Sequence, residues 1–123
     1  MDVVNLKAEL EKVTEYWSPR ILGRVNDQYI KVAKLKGEFV WHDHALEDEL
    51  FYIVKGSLVI QYKDGDVQLG EGDFHIVPHG RQHNPVAEEE CWIALIEPVA
   101  TRHTGDVVSD RARSIEEQAR SPA

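Results

Sequence analysis

The sequence predicts a mostly β domain, a sandwich or closed barrel preceded by one short helix. Three observations carry this expectation. From about residue 20 to residue 100, short alternating runs succeed one another, closed by Gly, Pro or Asp-Gly. Before them, one segment carries a helical apolar stripe. With 123 residues, the chain has room for a single core. The expected organisation is a helical segment over 1–19, packed on the barrel or on a partner subunit, then a barrel over 20–100 and a polar tail over 101–123.

In the first segment Leu6, Leu10, Val13 and Trp17 recur at steps of three and four. This predicts a helix from Leu6 to Trp17, ended by Ser18-Pro19 because proline disfavours helical geometry in the residue before it. Ile21 to Val25 and Gln28 to Lys36 read as two strands around an Asn26-Asp27 turn. In the second, Ile30 and Val32 share one face, and Tyr29, Ala33 and Leu35 share the other. Further strands are expected over Phe39 to His44, Glu49 to Val54 and Ser57 to Lys63. Asp64-Gly65 gives a hairpin signal before Val67 and Leu69. Phe74 to Val77 leads into Pro78-His79-Gly80, and Cys91 to Ile96 reads as the last strand. Glu88-Glu89-Glu90 is expected to be a solvated turn. Beyond Thr101 the pattern fades through Thr104-Gly105-Asp106, with a short helix expected over Ser114 to Arg120.

Two linked blocks carry the chemistry. The first is Gly37-x4-His42-Asp43-His44-x4-Glu49-x6-Gly56. The second is Gly72-Asp73-x4-Pro78-His79-Gly80-x2-His83-Asn84-Pro85. Residues two apart on a strand point the same way, so His42 and His44 share a face with Val40, and Asp43 takes the other. Glu49 shares a face with Phe51 and Ile53, which marks that face as inward. His83 reaches in from the opposite wall after the Gly80 turn. Three imidazoles and one carboxylate suit one divalent transition metal such as Mn, Fe, Co, Ni or Zn. In an octahedral site they leave two positions for water or substrate, as a catalytic or ligand-binding metal requires. Neutral histidines are needed, so affinity should fall on acidification.

These blocks resemble the paired motifs of the cupin superfamily, in which Gly, His-x-His, Glu and Gly are followed by Gly, a Pro-x-Gly turn and His. Gly56, Gly72, Pro78 and Gly80 all stand in place. The gap of four residues between Gly37 and His42 is one shorter than that family's usual spacing. The motifs span Gly37 to Pro85, and the strand pattern extends the resemblance from about Gln28 to Pro98. The resemblance implies a small single-domain cupin, a double-stranded β-helix (a jelly-roll barrel), with His42, His44, Glu49 and His83 as metal ligands. It also implies a range of reactions on small oxygen-bearing substrates, either dioxygenase-like or of the sugar isomerase or epimerase kind. The alternative is a non-catalytic barrel that binds a small molecule or sugar.

Other residues are set aside. Glu47 and Asp48 are expected in a solvated loop, and His79 is expected to be exposed. His75 looks into the barrel or out of it, most simply as a satisfied non-ligand. His103 receives no role. Tyr29, Tyr52, Gln61 and Trp92 are read as barrel wall, Trp17 and Trp41 as subunit or helix packing, and Cys91 as a small buried hydrophobe. No phosphate cradle, nucleophile elbow or Cys-x-x-Cys occurs.

The formal charge of -8, from 22 acidic against 14 Lys and Arg residues, argues against a nucleic-acid surface. A single cysteine fits a reducing compartment. The lack of a long apolar run or an export signal adds to an expectation of a cytoplasmic protein with no membrane partner. A homodimer is expected, because a barrel this small leaves sheet edges to cover.

Overall fold

The computed structural model describes residues 2–105 and 112–119. Helix α1 (Leu6–Glu11) starts at Asn5, whose side-chain oxygen accepts a bond from the Ala8 N–H at 2.9 Å. Strands β1 (Arg20–Val25), β2 (Gln28–Glu38), β3 (Glu49–Lys55), β4 (Leu58–Tyr62), β5 (Gly65–Leu69), β6 (Phe74–Val77) and β7 (His83–Pro98) follow, then helix α2 (Ile115–Gln118). All strand pairings are antiparallel, in the order β1-β2-β7-β3-β6, with β4 joining β7 to β5.

β7 makes the barrel. Its first residues pair with β4, with Tyr62 opposite His83, while its later residues pair with β3, with Leu50 opposite Ile96. β2 runs beside it along both stretches. The expected last strand, Cys91 to Ile96, is therefore only part of a strand of 16 residues. Glu88-Glu89-Glu90 is not a turn. It is an exposed bulge inside β7, at the point where the β2 register shifts between Leu35 and Gly37. The three carboxylates stay in water while the strand continues beneath them.

Alternation then fills the interior. Ala33, Leu35, Phe51, Ile53, Val77, Ile93 and Leu95 point inward and are buried. On the outer face α1 is seated on its own sheet, where Leu10 meets Val32, Trp92 and Ala94.

The helix is shorter than its apolar stripe. Leu10, Val13 and Trp17 are all buried, yet the helix ends at Glu11 and the rest of the stripe reaches the core as irregular chain. β2 competes for this segment and wins. The Trp17 N–H bonds the Lys34 carbonyl at 2.9 Å, its indole N–H bonds the Lys36 carbonyl at 2.8 Å, and its φ is 56°. Trp17 thus packs inside its own chain, stacked on Phe39 at 4.8 Å.

Phe39 to His44 is not a strand either. It is extended chain tied to β7 by the Phe39 N–H bond to the Pro85 carbonyl at 3.0 Å and an antiparallel bridge between His42 and His83. The tail is less polar in its setting than expected: Thr101, Thr104 and Gln118 are buried. Ser114 caps α2 with a reciprocal Ser114–Glu117 box. Asp106 and Arg120, part of the expected tail features, lie outside the described residues. Among the described residues no helix is long and apolar enough to cross a membrane.

Candidate metal centre

The two sequence blocks meet at the His42–His83 bridge. The His42 N–H bonds the His83 carbonyl at 3.0 Å, and the His83 N–H bonds the His42 carbonyl at 2.9 Å. This fixes two imidazoles side by side, with ring centroids 4.3 Å apart. His44 follows two residues on, and its carbonyl accepts the Gly80 N–H at 2.8 Å. Gly80 sits at φ 78°, a left-handed geometry that glycine adopts without strain. Glu49 is the first residue of β3, on the same inward face as Phe51 and Ile53.

The four predicted residues come together. His42, His44, Glu49 and His83 are all buried, and each offers a ligand atom, all within 4.8 Å of one another. The tautomers follow from the surroundings. His42 Nδ1 donates to the Val40 carbonyl and His83 Nδ1 to the Arg81 carbonyl, both at 2.9 Å. Each Nε2 is left with a lone pair for the centre. Glu49 Oε1 lies 3.6 Å from His44 Nε2 and 3.7 Å from His83 Nε2. These three atoms are buried and have no hydrogen-bond partner. Each such orphan costs about 1–3 kcal/mol, and one cation among them would satisfy all three. The donor set fits a divalent transition metal.

Burial and the neighbouring His83 push His42 down to about 4. Burial also pushes His44 down, but the Glu49 carboxylate 3.6 Å away outweighs it and holds His44 above its ordinary value.

Behind Glu49 lies an array that sequence reading missed. Glu97 of β7 is buried beside it, and Lys31 of β2 bonds Glu97 at 2.7 Å with both side chains at most 3% exposed. The Lys31 ammonium also donates to the Gln118 side-chain oxygen on α2. Burial, then the charge of Glu49, hold Glu97 well above the usual carboxylate range. Burial disfavours the charge on Glu49 too, but the adjoining Glu97, His44 and His83 outweigh it and hold Glu49 well below that range. Both directions favour a proton on Glu97 over one on Glu49, with the Glu49 carboxylate as the adjoining acceptor. A signal existed: Lys31 shares the inward parity of Tyr29, Ala33 and Leu35, and Glu97 that of Ile93 and Leu95.

His75 faces inward, between exposed Phe74 and Ile76, and its Nε2 lies 2.7 Å from the Tyr62 hydroxyl. It stands outside the cluster of four, as does Asp43. Asp48 and His79 are exposed and paired at 2.8 Å. Cys91 is buried, its thiol pushed up to about 12 by burial alone. Trp41 lies under the Lys63 ammonium at 3.7 Å and Trp92 under those of Lys34 and Lys55. Gln61 accepts a bond from Asn84.

Next to the cluster is a cavity of about 30 Å³. Its walls are mainly apolar, including Trp17, Phe39, Phe51 and Ile93, with His42, Glu49 and His103 as the polar members. His103, to which the sequence assigned nothing, comes from the segment after β7 and leans on Phe39 at 4.9 Å. That segment lies close against the His42–His44 chain: a Cβ on Gly105, at φ 59°, would overlap the Asp43 carbonyl.

Comparison with known proteins gives a consistent set. Residues 29–96 match the family described as Cupin domain. A cupin-2 domain containing protein of Shewanella frigidimarina is 41% identical, with a TM-score of 0.77 over 78% of this chain and 94% of that one. The uncharacterized protein YdbB of Bacillus subtilis is 35% identical over 80 residues, 64% of this chain and 71% of that one. A 3-hydroxyanthranilate 3,4-dioxygenase of Ruegeria pomeroyi is 34% identical over 73 residues, 55% of this chain and 40% of that protein.

Proposed function

The chain belongs to the cupin domain family, and from that premise we propose that it is a metal-dependent enzyme, oxygenase-like, acting on a small oxygen-bearing substrate. His42, His44, Glu49 and His83 would hold one divalent transition metal. The observation that carries the reading is the set of three buried, unpartnered donor atoms of His44, Glu49 and His83, in a cluster whose Glu49 and His42 line a mainly apolar cavity. When bound, the metal supplies Lewis acidity and, if redox-active, a place for dioxygen. The chain's own residues do the rest. Glu49 brings the negative charge, and Glu97 and the two backbone carbonyls orient the ligands. Phe51, Ile93 and Phe39 keep water from the reacting end of the substrate.

The apolar walls favour an oxygenase over a sugar isomerase, since a sugar's hydroxyls would go unpaired there. The resemblance to a named dioxygenase agrees, although that match spans 40% of the relative's length.

The test is metal content of the purified protein, then oxygen uptake with a panel of diketones and catechols. Bound iron, manganese or nickel with substrate-dependent uptake supports the reading. Metal without turnover points instead to a non-catalytic binding barrel. A His42→Ala variant with unchanged metal content would refute the ligand assignment.

A cytoplasmic location and a homodimer belong to the same proposal. The N-terminal stripe is already buried on its own sheet, so the dimer contact falls to Tyr52, Phe74, Ile76 and Ile96. These share the outer face of β6, β3 and β7 and remain exposed. A monomer by light scattering would remove the dimer.

A further inference from the structure

The cluster of four leaves one polar group of the cavity unexplained. His103 Nδ1 is buried and has no hydrogen-bond partner among the described residues. A cation would satisfy His44, Glu49 and His83, but His103 is not part of that cluster. The residue also lies outside the stretch that matches the family, residues 29–96.

Its position is built. Thr101 and Thr104, on either side, are buried. The imidazole leans on Phe39, which stacks on Trp17 with the rings 15° from parallel. Three aromatic rings from three separate parts of the chain thus form one wall. His42 and Glu49 line the same cavity. Burial pushes His103 down to about 3, so the ring is neutral at physiological pH and offers one N–H and one lone pair. Such a ring suits a carbonyl or hydroxyl better than a carboxylate, which would call for a cation.

Volume narrows the ligand further. A space of about 30 Å³ accepts roughly two water-sized units. A short carbon chain fits with little adjustment, whereas a ring, such as a catechol, enters only if the walls part.

We propose that His103 is the specificity-determining residue of this site, hydrogen-bonding one oxygen of a short-chain hydroxycarbonyl or dicarbonyl compound whose other oxygen faces His42 and Glu49. The assignment of the second oxygen rests on the metal reading above. The contact at His103 does not.

The experiment uses the full-length protein, loaded with Zn(II) and metal-free, with hydroxyacetone as probe and acetone as its match lacking the second oxygen. Metal content and the imidazole nitrogen resonances are recorded by elemental analysis and NMR. The expected result is a shift of the His103 Nδ1 resonance with hydroxyacetone. The expected affinity is roughly fivefold to tenfold above that for acetone. His103→Phe should erase that preference while its metal content stays at the wild-type level. If His103→Phe does not fold, the wild-type resonance alone decides. A silent His103 resonance, or an undiminished preference in His103→Phe, overturns the proposal even when the metal is fully bound. A shift in protein that takes up no zinc upholds His103 and defeats the metal reading instead.

Discussion

Replacing Lys31 with Met should damage stability more than any surface charge could. Lys31 is 1% exposed and Glu97 2%. The ammonium stands 2.7 Å from Glu97 Oε1, and its removal leaves that oxygen unpaired. Glu97 Oε2 has only the Glu49 carboxylate beside it, a neighbour it can bond when it carries a proton. Breaking one side of a buried ion pair costs about 3–5 kcal/mol. Met fills most of the lysine volume, and Glu97 can hold a proton, so the lower end, about 3 kcal/mol, is expected. For a chain of this size that is roughly a 10 °C fall in melting temperature.

The sign with pH follows from Glu97. Its folded pKa is raised above the unfolded value, so its protonated form favours folding at acid pH and that contribution is lost as pH rises. The deficit of Lys31→Met relative to wild type should therefore be smallest at acid pH and grow toward neutrality. Adding Glu97→Gln removes the stranded acid while keeping a donor for Glu49, and should restore most of the loss. Urea titrations followed by far-UV circular dichroism, on metal-free protein at several pH values, measure all three variants. A Lys31→Met protein within about 1 kcal/mol of wild type would refute the reasoning. So would a double variant no more stable than the single one.

Two other outcomes follow from the same site. Glu97→Leu removes the hydrogen bond to Glu49 and should weaken metal affinity roughly 10–100-fold, read by competition with a chromophoric chelator, with the four ligands intact. Metal binding should also release a proton. His44 is held above its ordinary value in the empty site and must become neutral, so affinity should fall as pH drops through that range, by up to about tenfold per pH unit. His42, pushed down to about 4, should add a second proton only in stronger acid. Calorimetry in buffers of different ionisation enthalpy counts the protons, and a pH-independent affinity would exclude His44 as a ligand.

The gathering of His42, His44, Glu49 and His83 was legible in the sequence because its rules are local. Parity puts His42 and His44 on one face, and Gly80 allows the turn that returns the chain at His83. Even there the route differs from the expected one, since Phe39 to His44 meets β7 through a bridge at His42 and isolated backbone bonds, not as a strand. The helix end was illegible because the stripe through Val13 and Trp17 satisfies a helix and a sheet edge equally. Only the carbonyls of Lys34 and Lys36 decide between them. Glu88-Glu89-Glu90 failed for a similar reason: an exposed acidic triplet looks the same in a turn and in a bulge.

The remaining misses share a physical origin that bears on function. Lys31, Glu97, Gln118 and His103 are polar residues buried against groups far away in the chain; parity hints at the inward direction of Lys31 and Glu97, but no window of sequence reveals what surrounds any of the four. Gln118 reaches Lys31 from α2, Lys31 holds Glu97, and Glu97 adjoins a proposed ligand. Trp17 and His103 reach the cavity from opposite ends of the chain. The motif thus gathers four donors that could hold a metal, whereas residues outside it shape the cavity and set the charge environment of Glu49. On this reasoning two chains could share all four donors and still differ in what they bind, according to what their flanking segments place over the barrel mouth.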